Sequence, residues 1–379
     1  MAVAVIGGGV TGLFAALYLK RGGERVTIYE RSRLGAGSVH AAGILEEPRC
    51  RPINTWSYLR IALRHLRTGS SSFGRVDGRW LGSYVRNFGK PLAREDEAKI
   101  LQMGSFSTDE YRALSERAND FDLTFGGLTE VYDTAGSFGF ARGELERDGG
   151  YEGAHVTELA ARGGTIHYPT MGWLDTDLLA ARLARELEGT EVVIGEVGKL
   201  SLKGNVSSGG RERKFDAVVL TAGVACRRMG IPLTSVKGFG WRIHARRQPD
   251  SATIFEDSGF ALVPLAQGSK LTGGFDFSFS ASTSRAEALL DRARGRVDIT
   301  EVGPVQTGHR PTTPDGLPIV GRRENVVVAT GGFMLGWTLG PGVARAAADL
   351  ALRSRREDPF LGRFLHRMKD GNLAGAFAQ

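Results

Sequence analysis

Cysteine is scarce. The 379 residues hold two, Cys50 and Cys226, in no CxxC arrangement, which excludes a disulfide framework or a cysteine-rich metal site and fits a reducing, cytoplasmic setting. Lysine is also rare, nine against 40 arginines, yet the chain carries +7 with a pI near 9.5. The arginines are scattered, and neither C2H2 spacing nor an RNP-type aromatic motif occurs, so nucleic acid is not expected as a partner. An anionic substrate or cofactor, or loose contact with an anionic membrane surface, accounts for the sign equally well. Long apolar runs are missing too. Residues 1–19 carry no charge, but they lack the basic start and cleavage site of a secretory signal, and three glycines sit near their start, so neither a signal nor a span is expected. What is present is 41% hydrophobic and 24% charged residues, enough for a large core and two domains.

Residues 2–31, AVAVIGGGVTGLFAALYLKRGGERVTIYER, change period in the order of a βαβ unit. Val3, Val5 and Ile6 suit a buried strand, Leu13, Ala16, Leu17 and Tyr18 a helix, and Val26 to Tyr29 a second strand. Gly7, Gly9 and Gly12 stand between strand and helix in GxGxxG register: one for the tight turn, one for approach to a pyrophosphate, one for close helix packing. The helix amino terminus adds unpaired N–H groups and a positive dipole end. Glu30 ends the second strand, where a carboxylate meets ribose hydroxyls and disfavours a 2′-phosphate, leaving NAD or FAD.

The next stretch, RSRLGAGSVHAAGILEE (31–47), resembles the segment beside the pyrophosphate and flavin ring in the D-amino-acid-oxidase-like flavoproteins. Small residues let a backbone lie close to a flat ring, here Gly37, Ala41, Ala42 and Gly43. The resemblance implies FAD, and a cofactor set that adds Val10, Thr11, Arg31, Ser38, His40 and Leu45. GSVHAAG is also similar to the WHAAG of sarcosine and dimethylglycine dehydrogenases, whose histidine bonds the flavin covalently. Val39 departs from their aromatic, so a packed, unbonded His40 is the expectation and a covalent one the alternative.

Further along, helical spacing runs from Leu174 to Leu187 with Asp175 as cap, and FDAVVLTAG (215–223) reads as a buried strand. By resemblance, Val197 faces the adenine and Ala222-Gly223 the pyrophosphate. Residues 325–352 form strand, Gly-rich turn and helix, like the family's closing segment, whose helix start meets the flavin N1–O2 edge; Leu335, Gly336, Trp337 and Thr338 are its counterparts here. Gly332 stands where D-amino acid dehydrogenases carry His.

TGHRPTTPDGLPIVG (307–321) has three prolines, which exclude a helix interior or central strand and suggest a stiff connection. It matches the family's Gly-x-Arg-Pro…Pro-Asp-Gly segment, which implies that Arg310 clamps a substrate carboxylate, a task suited to its bidentate fork.

The expected fold class is α/β: a Rossmann-like FAD-binding domain (1–79, 146–224 and 305–379) and a discontinuous α+β substrate domain (80–145 and 225–304) carrying an antiparallel sheet. Phe239, Trp241, Phe275 and Phe333 are candidate pocket walls beside Arg310, and no metal site is expected. The helix YLRIALRHLR (58–67) reads as a solvated face or a membrane-surface helix. Residues 45–61 resemble dye-linked proline dehydrogenases. The implied activity is oxidation of the CH–NH bond of a small amino acid, proline or hydroxyproline favoured, with a dye, quinone or oxygen as acceptor. Glycine, sarcosine or D-amino acid oxidation stays open, as does a hydroxy acid or glycerol 3-phosphate dehydrogenase, or a non-catalytic FAD-binding subunit.

Overall fold

The first strand, Ala2–Ile6 (β1), sends Val3 and Val5 into one apolar cluster and Ala4 and Ile6 into another on the opposite side, so both its faces are buried. In the computed structural model, which describes residues 1–46, 52–147, 153–159, 163–353 and 357–375, β1 lies inside a seven-stranded sheet. It pairs in parallel with Arg25–Glu30 (β2) and with Ala217–Leu220. Glu191–Ile194 extends the sheet past β2, and Val326–Thr330 past Ala217–Leu220. Two antiparallel strands, Ile319–Arg323 and Glu357–Leu361, finish that edge.

On one side of this sheet the helix Val10–Arg21 (α1) packs beside the closing helix Gly336–Leu352: Leu13, Phe14 and Leu17 share a cluster with Val343, Ala344 and Ala347. The other side is covered by a small antiparallel sheet, whose Val197, Leu200 and Val206 pack with Ala4 and Ile6. The expected helix after Trp173 runs Thr176–Glu186, and the Asp175 carboxylate caps it by accepting from the Asp177 and Leu178 amides.

A second sheet of ten strands is centred on the long strand Thr234–Ala245, antiparallel to Ser269–Phe277. The helix Ala286–Arg294 closes one of its faces through Leu289, Leu290 and Ala293, packed on Phe239, Trp241, Leu262 and Leu271. This sheet takes in segments that were expected in the nucleotide domain. His155–Leu159 and Gly163–Tyr168 pair with each other and onto Leu128–Tyr132. Ser71–Phe73 pairs with Phe275–Phe277. Gln306–Thr312 pairs along Thr234–Gly240, so Arg310 lies on a strand and not in a connection. An edge position explains why Pro311 is tolerated there, since no second neighbour asks for its missing N–H. A strand's composition announces the strand and not its sheet, because partner choice is a long-range matter.

Candidate active site

The glycine loop after β1 is shaped by close approaches. Gly7 has φ +102°, and a Cβ there would lie 2.6 Å from Thr221 O and 2.9 Å from Ala222 Cα. Its tight turn thus sits against Thr221 and Ala222, far away in sequence, with Gly223 next along the chain. A Cβ at Gly12 would lie 1.8 Å from Gly7 O, so the first turn of α1 sits directly on the loop. Gly9 precedes that helix without a side-chain cap, and there is no acidic residue in its first turn. The Val10 amide donates to Ser38 Oγ at 2.9 Å, while Thr11 and Gly12 stand in the same first turn, where amides have no carbonyl four residues back. Glu30, 9% exposed at the end of β2, accepts from the Gly8 amide at 2.7 Å and from the Ser32 amide at 3.1 Å. Arg31 next to it is exposed. Val197 is buried near the same strand end, two residues after Gly195, whose amide donates to Glu30 O. A glycine cradle at a helix start, with a carboxylate at the neighbouring strand end, suits the pyrophosphate and ribose of a dinucleotide.

Residues 38–46 are pinned on both sides. Trp337 Nε1 donates to Ser38 O at 3.1 Å, and the Glu46 amide donates to Thr338 Oγ1 at 3.2 Å, tying the segment to the start of the closing helix. Leu335 is that helix's N-cap and Gly336 its first residue, again with no side-chain cap and no acid in the first turn. Opposite, His40 Nδ1 meets Gln306 Oε1 at 3.0 Å, and a Cβ on Gly308 would lie 3.3 Å from His40 Cβ. Between these contacts Ala41 is exposed and Ala42 half-buried, Leu174 N donates to Gly43 O at 3.0 Å, and Leu45 pairs with Gly172. Part of the stretch similar to proline dehydrogenases, residues 47–51 with Cys50, lies outside the described residues.

Arg310 shares a strand face with Gly308 and Gln306, by the two-residue alternation of a strand. Its guanidinium crosses Gly238, where a Cβ would lie 2.7 Å from Nη2, donates from Nη1 to Gly274 O at 2.9 Å, and rests 4.8 Å above the Phe275 ring. Burial pushes its pKa down to about 10, with Asp276 opposing, which leaves it a cation at neutral pH. Asp276 itself is 2% exposed; its Oδ1 accepts from Arg285 Nε at 3.2 Å, while Oδ2 has no hydrogen-bond partner. Two histidines around this sheet are held neutral, His65 on the Phe275 side and His309 on the strand face opposite Arg310. His309, bonded to Ser235 Oγ at 2.8 Å, is pushed down to about 4 chiefly by burial, and so is His65, whose ring meets the Phe275 ring edge-on at 5.9 Å. Phe333, at φ +44° in the turn before the closing helix, donates its amide to Pro311 O.

Two expected wall residues fall elsewhere. Phe239 and Trp241 point to the far face of the sheet, into the cluster with Leu289 and Leu290, because their positions alternate against Gly238 and Gly240. Phe275 reaches the Arg310 side past an irregular register between Lys237 and Phe239. Sequence reasoning passed over Gln306 and Lys270. Lys270, 1% exposed, bonds Val39 O and Thr176 Oγ1 and lies 3.4 Å from Asp177, while burial pushes it down to about 8 against the pull of that carboxylate. Its strand neighbour Arg242 pairs with Asp175 at 2.6 Å and Asp177 at 2.7 Å. The paired glycines of KLTGGFDF were a usable signal for the Arg310 slot; nothing in sequence marked the lysine.

Known proteins resemble this chain along nearly its whole length. The FAD dependent oxidoreductase (DAO) family matches residues 2–350. D-proline dehydrogenase of Pyrobaculum islandicum is 37% identical over 355 residues, 93% of this chain and 96% of that one. D-amino acid dehydrogenase of Methylobacterium nodulans is 26% identical over 92% of this chain and 95% of its own. In fold, the chain is similar to glycine oxidase from Geobacillus kaustophilus, with a TM-score of 0.69 at 20% identity over 93% and 95% of the two chains. With the glycine cradle, the pinned segment and the extent of these matches, the chain belongs to the FAD-dependent oxidoreductase (DAO) family and is an FAD-dependent oxidoreductase.

Proposed function

We propose that this oxidoreductase oxidises the CH–NH bond of a small amino acid, with proline, and D-proline in particular, as its substrate. One observation carries the reading: the Arg310 fork stands on the same strand face as Gly308 and Gln306, which touch His40 of the pinned segment. A substrate carboxylate gripped there would lie beside the segment that would hold FAD. The 37% identical relative, a D-proline dehydrogenase, supports the choice of substrate.

Bound FAD supplies the acceptor for the hydride that leaves the substrate carbon. The cradle of Gly7, Gly9, Val10, Thr11, Gly12 and Glu30 would hold its pyrophosphate and ribose, with Ala222 and Gly223 alongside. Ser38 to Leu45, with Arg31 and Val197, would line the rest. First-turn amides at Gly336, Trp337 and Thr338 present a positive dipole end to negative charge. His40 is read as a packing neighbour without a covalent bond. Arg310 spends one of five N–H donors on Gly274 O, leaving others for bidentate grip of a carboxylate. Phe275 and Phe333 offer apolar contact to a pyrrolidine ring. His65, held neutral beside the Phe275 ring, adds no positive charge there, which favours a carboxylate over a phosphate ester. The amine enters neutral and its lone pair assists C–H cleavage, so no residue of the chain has to serve as base; water hydrolyses the imine.

The acceptor is read as a quinone or dye, with oxygen as the competing choice, in a cytoplasmic enzyme that touches the membrane peripherally. Among the described residues no helix is long and apolar enough to cross a membrane. Anaerobic mixing with D-proline, L-proline, hydroxyproline, glycine, sarcosine and D-alanine tests the activity through flavin absorbance. Bleaching led by D-proline and lost in Arg310→Ala is expected. Bleaching by a hydroxy acid or glycerol 3-phosphate, and by none of the amino acids, overturns the reading.

A further inference from the structure

The chain's net charge is unevenly placed. Residues 56–90 hold seven arginines and lysines against one acid, Asp77, a net of +6 out of +7 for the whole protein. Asp77 is already engaged, capping the helix Gly78–Asn87 through the Arg79 and Trp80 amides and facing Arg227 at 3.5 Å. Among the described residues no carboxylate pairs with Arg60, Arg67, Arg75 or Arg86. The same stretch contains five of the sixteen exposed large hydrophobic residues among the described ones: Trp56 at 74%, Leu63, Phe73 at 59%, Leu81, and Val85 at 65%.

Helix geometry arranges them. In the helix Trp56–Arg67, the exposed positions Trp56, Arg60, Leu63 and Arg67 follow one stripe at helical spacing, apolar and cationic in turn. In Gly78–Asn87 the exposed Leu81 and Val85 lie one turn apart, with Arg86 beside them. The two helices are joined where the Trp56 and Phe88 rings meet edge-on at 5.0 Å. Ring contacts continue through Tyr84 and Trp80 to Phe277, on the strand that carries Phe275.

We propose that this two-helix face seats the protein on an anionic lipid bilayer, with Trp56, Leu63, Leu81 and Val85 entering the headgroup–acyl boundary and the arginines meeting lipid phosphates. Charge and side-chain shape together favour lipid: a net of +6 over 35 residues complements an anionic headgroup layer, and arginine between exposed Trp, Leu and Val suits a boundary where long stems lie in the apolar layer and their heads reach phosphate. The proposal deepens the peripheral-contact reading by naming its surface and lipid chemistry, and it stands apart from the amino acid reaction.

The test is co-sedimentation of the full-length holoprotein with phosphatidylglycerol-containing vesicles and with pure phosphatidylcholine vesicles, at low and high salt. Binding to the anionic vesicles is expected, falling at least tenfold on phosphatidylcholine or in high salt. Arg60→Glu with Arg67→Glu should abolish it, and Trp56→Ser with Leu63→Ser should weaken it, while flavin reduction by amino acid in vesicle-free buffer stays as in the parent. Absence of that reduction in the parent would count against the reaction and leave the membrane result readable. Equal sedimentation of the charge-reversed protein overturns the proposal. So does a parent protein that ignores anionic vesicles yet binds polyglutamate, which would assign the face to an acidic protein partner.

Discussion

At the scale of single residues the site depends on a few side chains whose charge state is set by packing. Arg310 is a planar fork in a slot left by Gly238 and Gly274, and a point charge does not reproduce it. Arg310→Lys should keep the fold, with flavin content and melting temperature near the parent, and lose roughly 10²- to 10³-fold in kcat/KM, mostly through KM, as steady-state kinetics will report. His65 carries a pH prediction. Its folded pKa, about 4, lies below the ordinary 6.5, so between those values the unfolded chain binds more protons than the folded one. The stabilisation is full above pH 6.5 and drains away as pH falls toward 4, amounting to roughly 3 kcal/mol for this 8% exposed group. Urea unfolding at pH 7 and pH 5 should show His65→Leu losing less stability over that interval than the parent.

At the scale of elements, α1 and its loop form one unit with no slack. Gly12→Ala places a methyl 1.8 Å from the Gly7 carbonyl oxygen, a backbone atom that cannot swing aside. The helix start must lift, and the protein should purify with little flavin, read as the ratio of flavin to protein absorbance. Gly238→Ala is the contrasting case, since the atom met at 2.7 Å is the flexible end of Arg310. It should fold and bind FAD normally while raising KM for the amino acid at least tenfold, because the guanidinium is displaced. The element bearing Gly12 was legible in the sequence: a GxGxxG between two periodic segments leaves few alternatives. The Gln306–Thr312 strand was not, since three prolines read locally as a stiff loop and only its pairing with Thr234–Gly240 makes it an edge strand.

At the scale of the molecule, the two sheets are locked by charges that no local signal announced. Lys270 and Arg242, neighbours across two strands of the second sheet, reach Asp175, Thr176 and Asp177 at the start of a helix that packs against α1, and Lys270 also holds Val39 O beside His40. Removing one partner of such a buried set leaves the others unsatisfied. Lys270→Met should destabilise by roughly 3–5 kcal/mol in denaturant titration and release FAD at lower denaturant than it unfolds the protein, since Val39 loses its anchor.

What the sequence determined by itself was the nucleotide half: periodicity places β1, α1 and β2, and the glycine and acid spacing places the cradle, because those interactions are short in sequence and dictated by backbone geometry. The carboxylate-gripping role proposed for Arg310 came from the resemblance of its motif. Tertiary structure alone decided which face Phe239, Trp241 and Phe275 present, that residues 155–168 join the second sheet, and that Gln306 and Lys270 stand against the cofactor segment. In strands, one residue of register exchanges core for site, and that register is fixed by partners distant in sequence, 66 to 78 residues away for Gln306–Thr312 and 32 to 40 away where Gly163–Tyr168 meets Leu128–Tyr132.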